Sequence, residues 1–499
     1  MSLLYVVVLA VIMVALLAVA ISRMARVKTK ADYLVAGRSL PAFVLVLTLL
    51  TSWIGAGSLF AGAENAYRNG FAALWLPAGG WIGLVLVYFI APRARKFAQF
   101  TLPDLLEARY NQTARVLGTI AILFAYVGIT SYQFKGGGDV LHLIFPDTVS
   151  SEFGTYIIAA FVIVTTALAG MSSVAYMDVA IGSLVTTICI IATPYLYLKA
   201  GGWGGLHDSL SPAYFQWFGN FRAGAGGELL PAWRGPERAM ELLVPTLMLM
   251  LGNQVMYQKF FSAKSERDAR ISVIGWTLGT LVLETLIVSI AVFGRALFPS
   301  GEVALHPREI IPYTARHALP SLMGALLLGA VFAKVISTAS NYLFSPATNL
   351  VNDVFVRYIA PEASHKSVLI VSRLMVVLLG CWALFQAVYA QSILEKMLWA
   401  YTVYSAALTP VVLAAFYSKR VTAWGAVAAI ATGTVVTVCW DTNMFPSQGG
   451  LLPLKALFPG IIPKLDAIFP ALIAALAAMI VVSALTPKPA PAQLAEIAE

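Results

Sequence analysis

Apolar residues run through this chain in long stretches separated by short polar clusters. A helix needs about 20 mainly apolar residues to cross the hydrocarbon core of a bilayer. Thirteen runs approach or exceed that length: 3–22, 41–63, 71–91, 116–143, 154–170, 174–198, 242–261, 273–297, 321–345, 368–390, 394–417, 422–440 and 466–485. They are called spans 1 to 13 in chain order. The pattern predicts an all-α polytopic membrane protein with about 13 transmembrane helices. Span 1 lacks a preceding basic segment and is longer than a signal-peptide core, so it is expected to remain as an anchor.

Two spans carry helix-breaking centres. Span 2 contains Thr51-Ser52-Trp53-Ile54-Gly55-Ala56-Gly57-Ser58, and span 7 contains Leu251-Gly252-Asn253-Gln254. Glycine holds helix poorly. Unwound backbone survives in a membrane only where protein buries it or where it lines a cavity. Interruptions at matching positions in two halves point to a transporter's binding site. Spans 2 and 7 lie five apart, and an odd number of crossings inverts the second unit. The expected organisation is a first helix and cytoplasmic loop (1–40), a five-helix repeat (41–198), an extracellular loop (199–241) and a second five-helix repeat (242–417). Two further helices (418–485) and a disordered cytoplasmic tail (486–499) follow.

Composition agrees with the span pattern: 59% of residues are hydrophobic and 11% charged, with mean hydropathy +0.81. A soluble domain carries about 25% charged residues, so a soluble enzyme, a nucleic-acid-binding protein and a disordered chain are excluded. The net charge of +9 fits basic loops beside anionic lipid. Such residues follow span 1 (Arg23, Arg26, Lys28, Lys30, Arg38), span 3 (Arg93, Arg95, Lys96, Arg109, Arg115), span 7 (Lys259, Lys264, Arg267, Arg270) and span 11 (Lys419, Arg420). Thirteen crossings put these loops on one side. This predicts a multi-pass protein of the plasma (inner) membrane, with the N-terminus outside and the C-terminus cytoplasmic. Trp75, Trp203, Trp217, Trp276 and Trp399 suit interfacial belts. Cys189, Cys381 and Cys439 read as buried apolar residues, with no metal or disulfide framework.

Ionisable residues at membrane depth are functional candidates. Asp178 opens span 6, Glu284 is central in span 8 and Lys334 in span 9, and Lys135 lies in span 4 one turn from Asp139. Helical spacing puts Lys334, Ser337 and Thr338 on one face. Hydroxyls there, beside carbonyls freed by the break in span 2, would make an oxygen site for a hard cation. Packing or bonding to their own helix would equally account for the hydroxyls.

Several segments resemble the sodium:solute symporter family over nearly the whole chain. They are Ala31-Asp32-Tyr33-Leu34-Val35-Ala36-Gly37-Arg38, Thr101-Leu102-Pro103-Asp104 through Arg109-Tyr110, Tyr257-Gln258-Lys259-Phe260, and Ser337-Thr338 followed by Ser345-Pro346-Ala347-Thr348-Asn349. The resemblance implies a LeuT-type 5+5 inverted repeat with discontinuous helices 2 and 7. It implies cation-coupled, normally Na⁺-coupled, symport of a small polar organic solute by alternating access, with no organic cofactor. It implies a Na⁺ site at the carbonyls of Thr51, Ile54 and Lys334 and the hydroxyls of Ser337 and Thr338, with Asp178 near the ion path. Solute would lie between the breaks, among Trp53, Ser58, Gln133, Asn253, Gln254, Glu284, Tyr401 and Tyr404.

Lys334 departs from the family, where this position is usually small. An ammonium about 4 Å from Na⁺ would repel it by about 4 kcal/mol at an effective dielectric of 20. Three readings follow: Lys334 pairs with Asp178 and Na⁺ binds nearby; its ammonium replaces Na⁺ and H⁺ drives transport; or it bends away to hold solute. Glu284 is compatible with a cationic solute or with a polyol. The expected partners are the solute, Na⁺ or H⁺, and the bilayer, with no nucleic acid and no obligate protein partner. Competing classes are weaker. A transporter-like sensor would need a separate signalling partner. A channel would need a filter motif, and a membrane enzyme would need clustered catalytic groups.

Overall fold

Each of the thirteen apolar runs carries helix in the computed structural model, which describes residues 3–24, 29–97, 101–168, 171–218, 221, 229–300, 306–389, 393–440 and 466–489. Eleven helical stretches are long and apolar enough to cross a membrane, and Leu3–Val19 and Ala42–Trp53 are shorter apolar helices. No β-strand occurs among the described residues. The expected disordered tail falls mostly outside them.

Lipid supplies no hydrophobic drive between helices, so association relies on close packing at small residues. Gly79 of span 3 shows this: a Cβ there would lie 2.9 Å from the backbone N of Leu247 on span 7 and would collide with the Leu243 carbonyl. The most apolar windows of spans 9 and 11 are 83% and 89% buried, which places these helices centrally, whereas span 13, at 28%, is peripheral.

Several basic residues assigned to loops are interior. Lys259 and Arg109 are 0% and 1% exposed, and Arg115 is also buried. Trp276 is buried as well and cannot serve an interfacial belt. Of the cysteines, Cys189 alone is fully buried, and Cys381 is exposed. Lys135 reaches Ser151 Oγ (3.3 Å) and not Asp139, which pairs with Arg308 (3.1 Å).

The Thr101-to-Tyr110 segment shows why its residue types recur together. Thr101 and Asp104 form a reciprocal capping box on the helix Leu102–Arg109. Arg109 donates to the carbonyls of Ser418 (2.8 Å) and Val421 (3.2 Å), and Tyr110 to that of Val411 (3.0 Å). The short helix is thereby fixed to the end of span 11. Arg115 binds Asp104 (2.6 Å), Asp353 (2.7 Å) and Glu107, and Arg357 binds Glu107 (2.7 Å).

Removing one partner of a buried ion pair leaves an uncompensated charge, at a cost of about 3–5 kcal/mol. Arg115→Ala is therefore expected to lower the thermal midpoint in detergent strongly, and Arg115→Lys less so. Burial raises the Glu107 carboxyl, but hydrogen bonds from Arg115 and Arg357 outweigh it and hold the group below the ordinary carboxylate range. A depressed carboxyl stabilises the fold above its unfolded-state value and loses that contribution as pH falls through its folded-state value. Glu107→Gln should therefore flatten the acid limb of a midpoint-versus-pH curve.

Candidate functional site

Each interrupted span has an extended residue at its break, with Gly55 also outside helix in span 2. Ile54 (φ −82°, ψ 114°) ends the helix Ala42–Trp53, and the chain re-enters helix through the wide turn Gly57–Gly62. Asn253 (φ −60°, ψ 113°) separates Gly235–Gly252 from Gln254–Phe261. Side chains take up the freed backbone groups. Gln133 Oε1 accepts from Ala56 N (2.7 Å). Asn253 Oδ1 accepts from Val255 N (2.9 Å) and the Tyr126 hydroxyl (2.8 Å). The Tyr404 hydroxyl accepts from Gln254 N (3.0 Å) and donates to Gly252 O (2.9 Å). Gly55 must be glycine for space, because its Cβ would come 2.7 Å from Thr338 Cγ2 and 2.8 Å from Gln133 Nε2.

Four oxygens converge at the first break. Thr338 Oγ1 lies 3.2 Å from Thr51 O, 3.1 Å from Ile54 O and 3.0 Å from Lys334 O. A hydroxyl has one proton and three acceptors face it, so at least two contacts lack a full hydrogen bond. Oxygens held 2.3–2.6 Å from one hard cation sit roughly 3–3.7 Å apart when adjacent. The donor set and spacing fit such an ion. The Lys334 ammonium points elsewhere: its only hydrogen bond among the described residues goes to Leu50 O (3.2 Å).

Asp178 forms a second centre beside the oxygens. Thr48 Oγ1 (2.5 Å), Ser337 Oγ and Asn341 Nδ2 (3.2 Å) donate to its carboxylate, and Thr51 Oγ1 donates to its carbonyl (3.1 Å). Its ion-pair partner is Lys259 (3.5 Å), not Lys334. The Lys259 ammonium also donates to Thr48 O (2.7 Å) and Ser52 Oγ. Sequence reasoning treats Lys259 as a loop charge and passes over Asn341 and Thr48. The available signal was position: Lys259 precedes two phenylalanines inside an apolar run.

A small cavity of about 30 Å³, room for about two waters, lies beside the first break and is lined by Trp53, Ser58, Thr246, Glu284, Met397 and Tyr401 with apolar neighbours. Four expected solute residues, Trp53, Ser58, Glu284 and Tyr401, therefore share it. The other four do not line it. Gln133, Asn253 and Tyr404 are spent on the breaks. Gln254 Nε2 bonds Ser345 Oγ (2.8 Å) and Asn349 Oδ1 (2.5 Å), and its Oε1 accepts from Leu102 N (3.3 Å). With its polar atoms so engaged, Gln254 ties span 7 to span 9.

The sequence model of the sodium:solute symporter family matches residues 33–433. A sodium/proline symporter of Staphylococcus aureus is 26% identical, covering 92% of this chain and 88% of that protein. Among solved structures, a Na⁺-coupled sialic acid symporter superposes with TM-score 0.79 at 16% identity, over 98% of both chains. Mhp1, a nucleobase-cation-symport-1 family transporter, superposes with TM-score 0.58 at 14% identity, over 94% of this chain and 99% of that one. These likenesses give the LeuT-type fold, with spans 2 and 7 as its discontinuous helices.

Asp178→Asn would strand the buried Lys259 ammonium. A loss on the order of 3–5 kcal/mol is expected, seen as a lower unfolding midpoint in detergent. The pair Asp178→Asn with Lys259→Met should recover part of that loss, because the stranded charge is gone.

Proposed function

The chain belongs to the sodium:solute symporter family, and on that premise we propose that it imports a small polar organic solute by alternating access, driven by Na⁺. It is a multi-pass membrane transporter, not an enzyme. The observation that carries the ion reading is the cluster of Thr51 O, Ile54 O, Lys334 O and Thr338 Oγ1 around a single hydroxyl proton. Na⁺ replaces that proton-poor contact with oxygen coordination, and the Ser337 hydroxyl can turn from Asp178 to join it. The ligands come from spans 2 and 9, so any motion that parts these spans dismantles the site and releases the ion. The solute binds at the adjoining cavity, against Trp53, Ser58, Glu284 and Tyr401, in a state of the transporter in which these walls move apart, since the cavity here admits only about two waters. L-proline, named in the Staphylococcus aureus relatives, is the first solute to try.

Orientation follows the basic loops, with the N-terminus outside and the C-terminus cytoplasmic in the plasma (inner) membrane. Residues 41–198 and 242–417 form the two inverted repeats. In this reading the Lys334 ammonium neighbours the ion and is held off it by the Leu50 carbonyl.

Purified protein should melt higher in Na⁺ than in K⁺ at equal ionic strength. At a Na⁺ concentration 100 times Kd the gain is about 2.7 kcal/mol. Thr338→Ala should remove most of that rise, and in proteoliposomes it should abolish uptake driven by an inward Na⁺ gradient. Uptake that ignores Na⁺, follows a proton gradient and stops in Lys334→Ala would instead put the ammonium in the ion's place.

A further inference from the structure

Five acidic side chains are buried among the described residues: Asp139, Asp178, Glu241, Glu284 and Asp353. Four of them hold a cation. Asp139 has Arg308 (3.1 Å), Asp178 has Lys259 (3.5 Å), Glu241 has Arg238 (2.7 Å) and Asp353 has Arg115 (2.7 Å). Glu284 makes no ion pair, although it lies mid-helix in Glu266–Leu297 and is only 5% exposed. A carboxylate at this depth is costly unless a cation and hydrogen bonds complete it.

The unpaired half of Glu284 belongs to the cavity. Oε1 accepts from Trp53 Nε1 (3.1 Å) and Ser58 Oγ (3.2 Å). Oε2 is buried with no partner. The Trp81 indole N–H faces the same carboxylate but completes no hydrogen bond. The remaining cavity walls offer little: Thr246 Oγ1 is spent on Leu242 O (3.0 Å), and Ile287, Val288 and Leu76 are apolar. Trp53 and Tyr401 stack at 6.3 Å and 28° beside the carboxylate. Aromatic faces next to a carboxylate favour an organic cation with an apolar body over a bare, strongly hydrated metal ion.

We propose that the transported solute carries a protonated nitrogen whose N–H donates to Glu284 Oε2, with its carbon skeleton against Trp53 and Tyr401. The solute is thus a small amine or amino acid: among the described residues Glu284 alone of the buried acids has no directly paired cation, the Lys334 ammonium acting on it only from a distance while bonded to Leu50 O (3.2 Å), and the solute supplies that direct pair. Glu284 is the specificity-determining residue, since a solute without a protonated nitrogen leaves its carboxylate unpaired. This rests on the transporter reading above.

The test is a thermal-shift titration of the full-length protein at fixed, saturating Na⁺. The probes are putrescine, ethanolamine and L-proline, with xylose as the neutral probe and lactate as the anion. At least one nitrogen probe is expected to raise the midpoint saturably, and xylose and lactate are not. E284Q should weaken the half-saturating concentration at least about tenfold, as loss of a charge-assisted hydrogen bond predicts. E284D should fall between E284Q and wild type. A Na⁺-dependent midpoint rise in each variant, without solute, checks that it is folded. The proposal is overturned if no nitrogen probe shifts the midpoint, if only xylose or lactate does, or if E284Q responds to the nitrogen probe as wild type does. It is also overturned if the Na⁺ titration of wild type shows a further saturable phase that E284Q loses, because Glu284 would then be a metal ligand. The ion reading fails separately, through the solute-free Na⁺ response and its dependence on Thr338.

Discussion

Backbone amides and carbonyls inside hydrocarbon have no water to turn to, and this governs the centre of the molecule. Two helices stop and restart at membrane depth, and each leaves polar groups that other elements must meet. Span 4 sends Gln133 and Tyr126, span 9 sends Thr338 and Tyr342, and span 11 sends Tyr404. The polar character of those helices is thus a consequence of the breaks. The carbonyls near Ile54 are only partly met, since three acceptors share the one proton of the Thr338 hydroxyl.

Charge follows the same logic one level up. A buried carboxylate pins the helices that satisfy it. Asp178, on span 6, gathers Thr48 from span 2, Lys259 from span 7, and Ser337 and Asn341 from span 9. The hydroxyl of Ser337 serves the carboxylate, and Thr338, the next residue in the chain, holds the hydroxyl at the oxygen cluster. The Asp178 network and the oxygen cluster therefore meet on adjacent residues of span 9.

Depth along a span is legible in a linear sequence, because twenty apolar residues read as a crossing and glycine clusters read as breaks. Facing is harder to read. A break and a helical face are enough to predict that the Thr338 hydroxyl lies near freed carbonyls; that these are the carbonyls of Thr51 and Ile54 came from the family resemblance. Gln254 and Tyr404 carry the right chemistry at the right depth, but neighbouring backbone and side chains claim their polar atoms first. Lys259 was misplaced because an amphipathic stem near a span end looks like a loop residue until the opposing carboxylate is known. For Lys334, periodicity gave the correct face, but the direction of a four-carbon stem is a rotamer choice that no spacing encodes.

The approach to span 2 and the exit from span 7 are laced together. Leu40 N donates to Ser262 O (3.1 Å), Lys264 N donates to Leu40 O (2.9 Å), and Gln258 Nε2 donates to Leu34 O (3.1 Å). Thr48 lies six residues before Ile54, and Lys259, which grips it, lies six residues after Asn253. Ala42–Trp53 and Gln254–Phe261 are therefore tied into one piece, with a helix break at the same end of each. A displacement of either half-helix would be passed to the other through these bonds. Among the described residues the opposite halves, Ala63–Asn69 and Gly235–Gly252, share no such hydrogen bonds, so the lacing lies on one side of the breaks only.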